Sequence, residues 1–229
     1  MEQPVFKERA NYKWWVLVAV AIGSVMVGLD SSVLAAVLPQ FAHVFRVDSS
    51  VIAWVNIAYL IISQSLMLTL SKVGDAKGRK KVFLTGLAFY TCGLIVCASS
   101  QSITQLIVGR TLQGVGGATC YSLGMAIVVA VFPAKERGKA LGTLASANSI
   151  GLVVGPMTGG LLLDLLSWRA VFYTRIPLAL IAFVMTWTIV SEQKGTEKQF
   201  HLDLKGSFSL FGFLSALLLF LTIGSKQCF

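Results

Sequence analysis

Charge is what this chain has least of. Only 13% of its 229 residues are Asp, Glu, Lys or Arg, and the acidic residues number ten. That excludes an ordinary soluble domain, in which roughly a quarter of residues are charged. Histidine is scarcer still, and His43 and His201 fall in loops with no ligand set around them. Of the four cysteines, Cys92, Cys97 and Cys120 lie inside apolar runs and Cys228 near the C-terminal end. None has metal-ligand spacing, so they read as small apolar residues and no metal site is expected. No nucleophile stands with a base, and no phosphate loop occurs in a suitable context. The glycines of GVGGA at 114–118 sit inside an apolar run with no strand before them, which rules out a dinucleotide loop. An enzyme is therefore not expected.

What is present is apolar sequence: 55% of residues are hydrophobic and mean hydropathy is +0.77. Apolar runs at 14–38, 51–71, 82–100, 103–132, 139–163, 171–191 and 206–224 are 19 to 30 residues long. Each is enough to cross a hydrocarbon core of about 30 Å at about 1.5 Å per residue. The first run is too long, and lacks a small-residue cleavage site, for a signal peptide. The fold expected is all-α, a polytopic membrane helix bundle. Residues 1–191 form six helices, 192–205 a polar cytoplasmic linker, and 206–229 a seventh span at which the chain stops. The first six spans divide into triplets, and transporter bundles are commonly built from three-helix units related by inversion. A seventh helix has no place in that scheme, so the chain reads as the first part of something longer.

The formal net charge of +9 is a matter of topology. Lys7, Arg9 and Lys13 precede the first span. Lys72, Lys77, Arg79, Lys80 and Lys81 lie between the second and third. Lys135, Arg137 and Lys139 lie between the fourth and fifth, and Lys194, Lys198 and Lys205 between the sixth and seventh. The opposite face is assigned only Arg46, Arg169, Arg175 and Lys226. Cations held on one side place the N-terminus in the cytoplasm, the cell inner membrane being the expected location, and nucleic acid is not an expected partner. Trp14, Trp15, Trp54 and Trp168 fall near span ends, where interfacial aromatics belong.

Two ionisable residues interrupt the apolar runs: Asp30 in the first and Arg110 in the fourth. A charge at bilayer depth costs at least about 2.5–3.5 kcal/mol, and such residues usually face a bundle interior or a water-filled path with a partner. In an inverted repeat the first and fourth helices are equivalent. Counted from the span ends, both residues lie about 10–12 Å below the outer surface. A carboxylate and a guanidinium at equal depth on equivalent helices are placed to meet.

Two further segments carry meaning less securely. VGDAKGRKKVF closes the second span with an acid, glycines and cations, and by itself also reads as an ordinary basic loop. GLVVGPMTGG in the fifth span packs four glycines and Pro156 into ten residues. Small residues let helices approach closely and a proline permits a kink, with or without a functional consequence.

In order, LDSSVLAAVLP at 29–39, VGDAKGRKK, LIVGRTLQGVGGA and GLVVGPMTGG make the chain resemble the N-terminal half of a major facilitator superfamily transporter, in its fourteen-span drug:proton antiporter branch. FPAKERGKALG and SWRAVFYTRIPLAL resemble family segments beside the fifth helix. The resemblance implies that Asp30 and Arg110 carry proton coupling, and that Gly74, Asp75, Gly78, Arg79 and Lys80 form a gating loop latching two halves together. It implies that Gly151, Gly155, Pro156, Gly159 and Gly160 form the antiporter packing and hinge surface. Gln64 and Gln113 are candidates for lining the path, or for bonding between helices. Ser71, Ala76 and Ala35 depart from the family pattern, the last where asparagine is common. The implied function is proton-coupled efflux of amphipathic, often cationic drugs, with no cofactor beyond the proton. The alternatives are a metabolite or siderophore exporter and a truncated non-transporting membrane protein. The implied partners are lipid, an amphipathic substrate, and a missing C-terminal half or a second copy.

Overall fold

A computed structural model describes residues 11–192 together with Gly206, Ser209, Gly212, Phe213 and Ala216. The linker and seventh span read from the sequence lie outside the described residues, apart from Glu192 and those five positions.

The helices are α1 (Tyr12–Phe45), α2 (Ser49–Lys77), α3 (Arg79–Ala98), α4 (Ile103–Val131), α5 (Arg137–Leu165), α6 (Ala170–Tyr173) and α7 (Arg175–Ile189). A short 3₁₀ turn, Ala134–Glu136, precedes α5. Among the described residues, six stretches are long and apolar enough to cross a membrane, α6 and α7 together making the sixth at Ala170–Ile189. The architecture is the all-α polytopic bundle expected from the apolar runs.

Local chemistry sets the helix ends. Ser102 caps α4, its Oγ accepting from the Gln105 N–H at 3.3 Å, so that one of the orphan donors of the first turn is paired. α1 stops where Arg46 turns left-handed at φ 51°. The segment expected as a loop between the second and third spans is almost entirely helical. α2 runs through Lys77 and α3 begins at Arg79, with Gly78 alone as the break. Its φ of 104° is a conformation that side-chain-bearing residues rarely adopt, so one glycine suffices to turn the chain.

α1 is also longer than its apolar run, continuing past Pro39 to Phe45. A proline removes one intrahelical hydrogen bond, and here the extra turns are held by aromatic packing. Phe41 and Phe45 contact Trp168 with ring centroids 5.3 and 5.6 Å away, and Phe172 completes the cluster. Trp168 is therefore buried, not an interfacial anchor.

Packing follows the inverted repeat. α1 packs most extensively on α5, and α4 packs closely on α2, the relation obtained by exchanging the two triplets. The α1–α5 seam is made by small residues. Gly151, Gly155 and Gly159 are buried one turn apart, and a Cβ on Gly151 would stand 3.0 Å from the Gly28 Cα and 2.8 Å from the Leu29 nitrogen. Gly160, one residue further, has nothing within 4 Å, and Pro156 lies exposed on the other side of α5.

The seam yields a contrast. Gly151→Ala meets backbone, which cannot rotate aside, and is expected to cost about 1–3 kcal/mol. Gly160→Ala should change little. Thermal unfolding of the complete protein in detergent checks this, and equal melting temperatures for the two variants would contradict a backbone-close seam.

Candidate functional site

Among the described residues three formal charges are buried inside the bundle: Asp30 at 0% exposure, Arg110 at 0% and Arg175 at 4%. Asp30 comes from α1, Arg110 from α4 and Arg175 from the first turn of α7. Arg175 Nη1 donates to Asp30 Oδ1 in a short contact, and Arg110 Nη1 lies 3.3 Å from the same oxygen. The other oxygen, Oδ2, accepts from the Tyr90 hydroxyl of α3 at 2.5 Å. One carboxylate thus joins four helices.

The arginines are placed by further contacts. Arg110 Nη1 donates to Gln113 Oε1 at 2.9 Å, and its Nε to the Val55 carbonyl of α2 at 3.4 Å. The Arg110 guanidinium also lies over the Tyr59 ring, 4.3 Å from its centroid, a cation–π contact in a desolvated setting. Yet Nη2 of both Arg110 and Arg175 has no hydrogen-bond partner among the described residues. One carboxylate does not satisfy two guanidiniums, which carry ten N–H donors between them.

The meeting of Asp30 and Arg110 follows the first-and-fourth pairing, though not the depth arithmetic behind it. Asp30 is fifteen residues from the observed end of α1, about 22 Å, while Arg110 is about 10 Å into α4. α1 simply projects further. Arg175 corrects the charge assignment: its position near a span end groups it with the loop cations of the opposite face, but it turns inward to Asp30. Its signal was available, because a cation inside the apolar run at 171–191 meets the same test as Arg110. Tyr90 and Tyr59 carry no comparable signal, since an aromatic in an apolar helix is ordinary core.

The glutamines separate. Gln64 lines a cavity of about 340 Å³ with Tyr59, Ser31, Ser63, Tyr121 and Asn148. Gln113 does not line it; as the acceptor for Arg110 one turn away, it is turned into the bundle. A second cavity, of about 310 Å³, lies between α1, α5 and α7, where Leu29, Val33, Leu161 and Leu178 form an apolar wall that includes Arg175.

The residues read as a gating loop lie elsewhere, at the basic end. Gly74 and Asp75 belong to the last turn of α2, and Arg79 and Lys80 open α3. Arg79 Nε donates to Asp75 at 2.7 Å and Nη1 to the Ala126 carbonyl of α4 at 3.1 Å, while Lys80 donates to the Trp187 carbonyl at 2.7 Å. Lys13 and Glu136 pair at 2.5 Å on the same side. Within the described residues these contacts tie α2, α4 and α7 to α3 and, separately, α1 to the 3₁₀ turn before α5.

A family model described as Major Facilitator Superfamily matches residues 20–225. The riboflavin transporter RibZ of Clostridioides difficile is 33% identical over 194 residues, covering 85% of this chain and 42% of that protein. The multidrug resistance protein Stp of Mycobacterium tuberculosis is 32% identical over 191 residues, covering 83% and 35%. Multidrug resistance protein 3 of Bacillus subtilis is 29% identical over 213 residues, covering 93% and 41%. The chain thus spans less than half the length of these relatives. The crystal structure of the human organic anion transporter MFSD10 superposes with a TM-score of 0.68 at 18% identity, over 86% of this chain and 53% of that one. That likeness is one of fold.

The charge balance orders two substitutions. Asp30→Asn leaves two buried guanidiniums facing each other, and should lower stability by about 3–5 kcal/mol, the cost of orphaning buried charge. Arg175→Gln leaves the Asp30–Arg110 pair and should cost clearly less. Detergent melts of the complete protein measure both, and the reverse order would contradict the shared-carboxylate arrangement.

Proposed function

We propose that this chain, which belongs to the Major Facilitator Superfamily, forms the N-terminal half of a proton-coupled exporter of amphipathic small molecules. The observation that carries the proposal is Asp30, a carboxylate fully buried at bilayer depth and bonded to α3, α4 and α7 at once. Burying charge in that setting is expensive, and intramembrane ionisable residues mark ion and substrate paths. Relatives named as multidrug resistance proteins support export of drug-like molecules.

The mechanism follows from the bonding. A proton arriving at Asp30 removes the negative charge that Arg110 and Arg175 share. The two cations then repel without a counter-charge, and the link between α1, α4 and α7 weakens. Loss of the proton restores it. Binding and release of a proton are thereby converted into a change in how the helices hold together, which is what alternating access requires. The cavity lined by Ser31, Ser63, Gln64 and Asn148 supplies neutral hydrogen-bonding groups along the path. The other wall would come from the C-terminal half, with Asp75 and Arg79 latching the halves on the cytoplasmic side of the plasma membrane.

A second reading, export of a metabolite, is favoured by the riboflavin transporter among the relatives. One assay serves both. The complete protein is reconstituted in vesicles with an internal pH dye, and riboflavin or amphipathic dyes of either charge are added. Substrate should drive proton movement in the native protein. In Asp30→Asn, assayed per folded molecule below its melting temperature, that movement should fall to the level of empty vesicles. Undiminished proton movement in the variant overturns proton coupling through Asp30.

A further inference from the structure

Given the transporter reading, the remaining question is what kind of molecule the site accepts. Three observations bear on it. First, the buried charges do not balance, with two guanidiniums against one carboxylate. Second, Nη2 of Arg110 and Nη2 of Arg175 are buried and unpartnered among the described residues, so each arginine keeps donor capacity that Asp30 does not use. Third, neither cavity beside the cluster has an acidic residue on its wall. The cavity of about 340 Å³ is lined by neutral groups, and the cavity of about 310 Å³ by aliphatic side chains, Thr158, Thr174 and Arg175. Among the described residues, the only formal charge on either wall is the Arg175 guanidinium.

Among the described residues, a cation entering here meets no free carboxylate. To reach Asp30 it must approach two guanidiniums in a medium where like charges repel strongly. An anion meets the reverse: an unbalanced cation with unused N–H donors, arranged as guanidinium arranges them for carboxylate or sulfonate. The apolar wall beside Arg175 suits the body of such a molecule.

We infer that the cluster selects amphipathic organic anions. The apolar body occupies the cavity between α1, α5 and α7, the acid group pairs with Arg175, and Arg175 is the specificity-determining residue. Asp30 and the ligand's acid group then compete for the same cations. This refines the proposed exporter and departs from a preference for cationic drugs.

The competition supplies the test. The complete protein, in nanodiscs of phosphatidylcholine, is titrated with naphthalene-2-sulfonate, 2-naphthol and trimethyl(2-naphthyl)ammonium, which share a ring and differ in charge. The sulfonate should bind tighter than the other two by about tenfold or more, the scale of a charge-assisted hydrogen bond. Arg175→Gln should bring sulfonate down to the level of the alcohol, and Arg175→Lys should keep part of the difference. Asp30→Asn should bind sulfonate more tightly than the native protein, a gain that a variant failing to fold cannot produce. No preference for sulfonate in the native protein, or a preference for the ammonium, overturns the inference. So does a sulfonate that binds, is displaced by phosphatidylglycerol and is not moved by proteoliposomes, because the cluster would then belong to a lipid headgroup. Loss of proton coupling in Asp30→Asn without any charge preference defeats this inference alone. Retained coupling in that variant defeats the exporter reading instead.

Discussion

A single carboxylate holds the middle of this bundle together. Asp30 takes a guanidinium from α4, another from α7 and a hydroxyl from α3, while its own backbone belongs to α1. In water these contacts would be minor, since exposed ion pairs contribute about 0–1 kcal/mol. At zero exposure the balance changes. Desolvation is paid whether or not partners are present, so removing a partner costs far more than the pair contributes. The cluster therefore does little for net stability but makes one arrangement of four helices much better than its neighbours. An interaction of that kind suits a switch, because a single proton changes its sign.

The rest of the structure separates rigid from adjustable contacts. The α1–α5 seam sets Gly151 against backbone, which cannot rotate aside, and Gly155 and Gly159 against the short side chains of Ser32 and Val33. The basic end is tied by Asp75, Arg79, Lys80, Lys13 and Glu136 through bonds at partly exposed positions. Between these lie the ion cluster and two cavities, where the bonding depends on charge. The seam fixes α1 against α5 and thereby fixes where Asp30 stands; α4 and α7 bring the cations to it.

The six spans, and the meeting of Asp30 with Arg110, were legible because both depend on local features. Spans are runs of apolar residues, and a charge inside such a run needs a partner. Arg175 is open to the same reasoning, but its sequence position groups it with nearby loop charges, since proximity to a span end looks like exposure in one dimension. The helical junction at Gly78 was hidden by composition, because a stretch rich in Lys and Gly resembles a loop. The continuation of α1 to Phe45 depends on Trp168, more than a hundred residues away, and no periodicity within α1 encodes it. Tyr90 and Tyr59 were invisible for the same reason: their importance comes from what faces them across the bundle. Gln64 and Gln113 look alike in sequence, and only helix rotation separates the cavity wall from the core.

The central claim is that Asp30 serves two buried cations at once, and a double-substitution cycle on the complete protein tests it most directly. Melting is measured for the native protein, Asp30→Asn, Arg175→Gln and the double variant. A shared carboxylate predicts a reversal of sign. Arg175→Gln destabilises the native protein, by removing a bond to Asp30, but stabilises the Asp30→Asn background, by removing one of two facing guanidiniums. Simple addition of the two costs would contradict it, because residues that do not share a charge act independently.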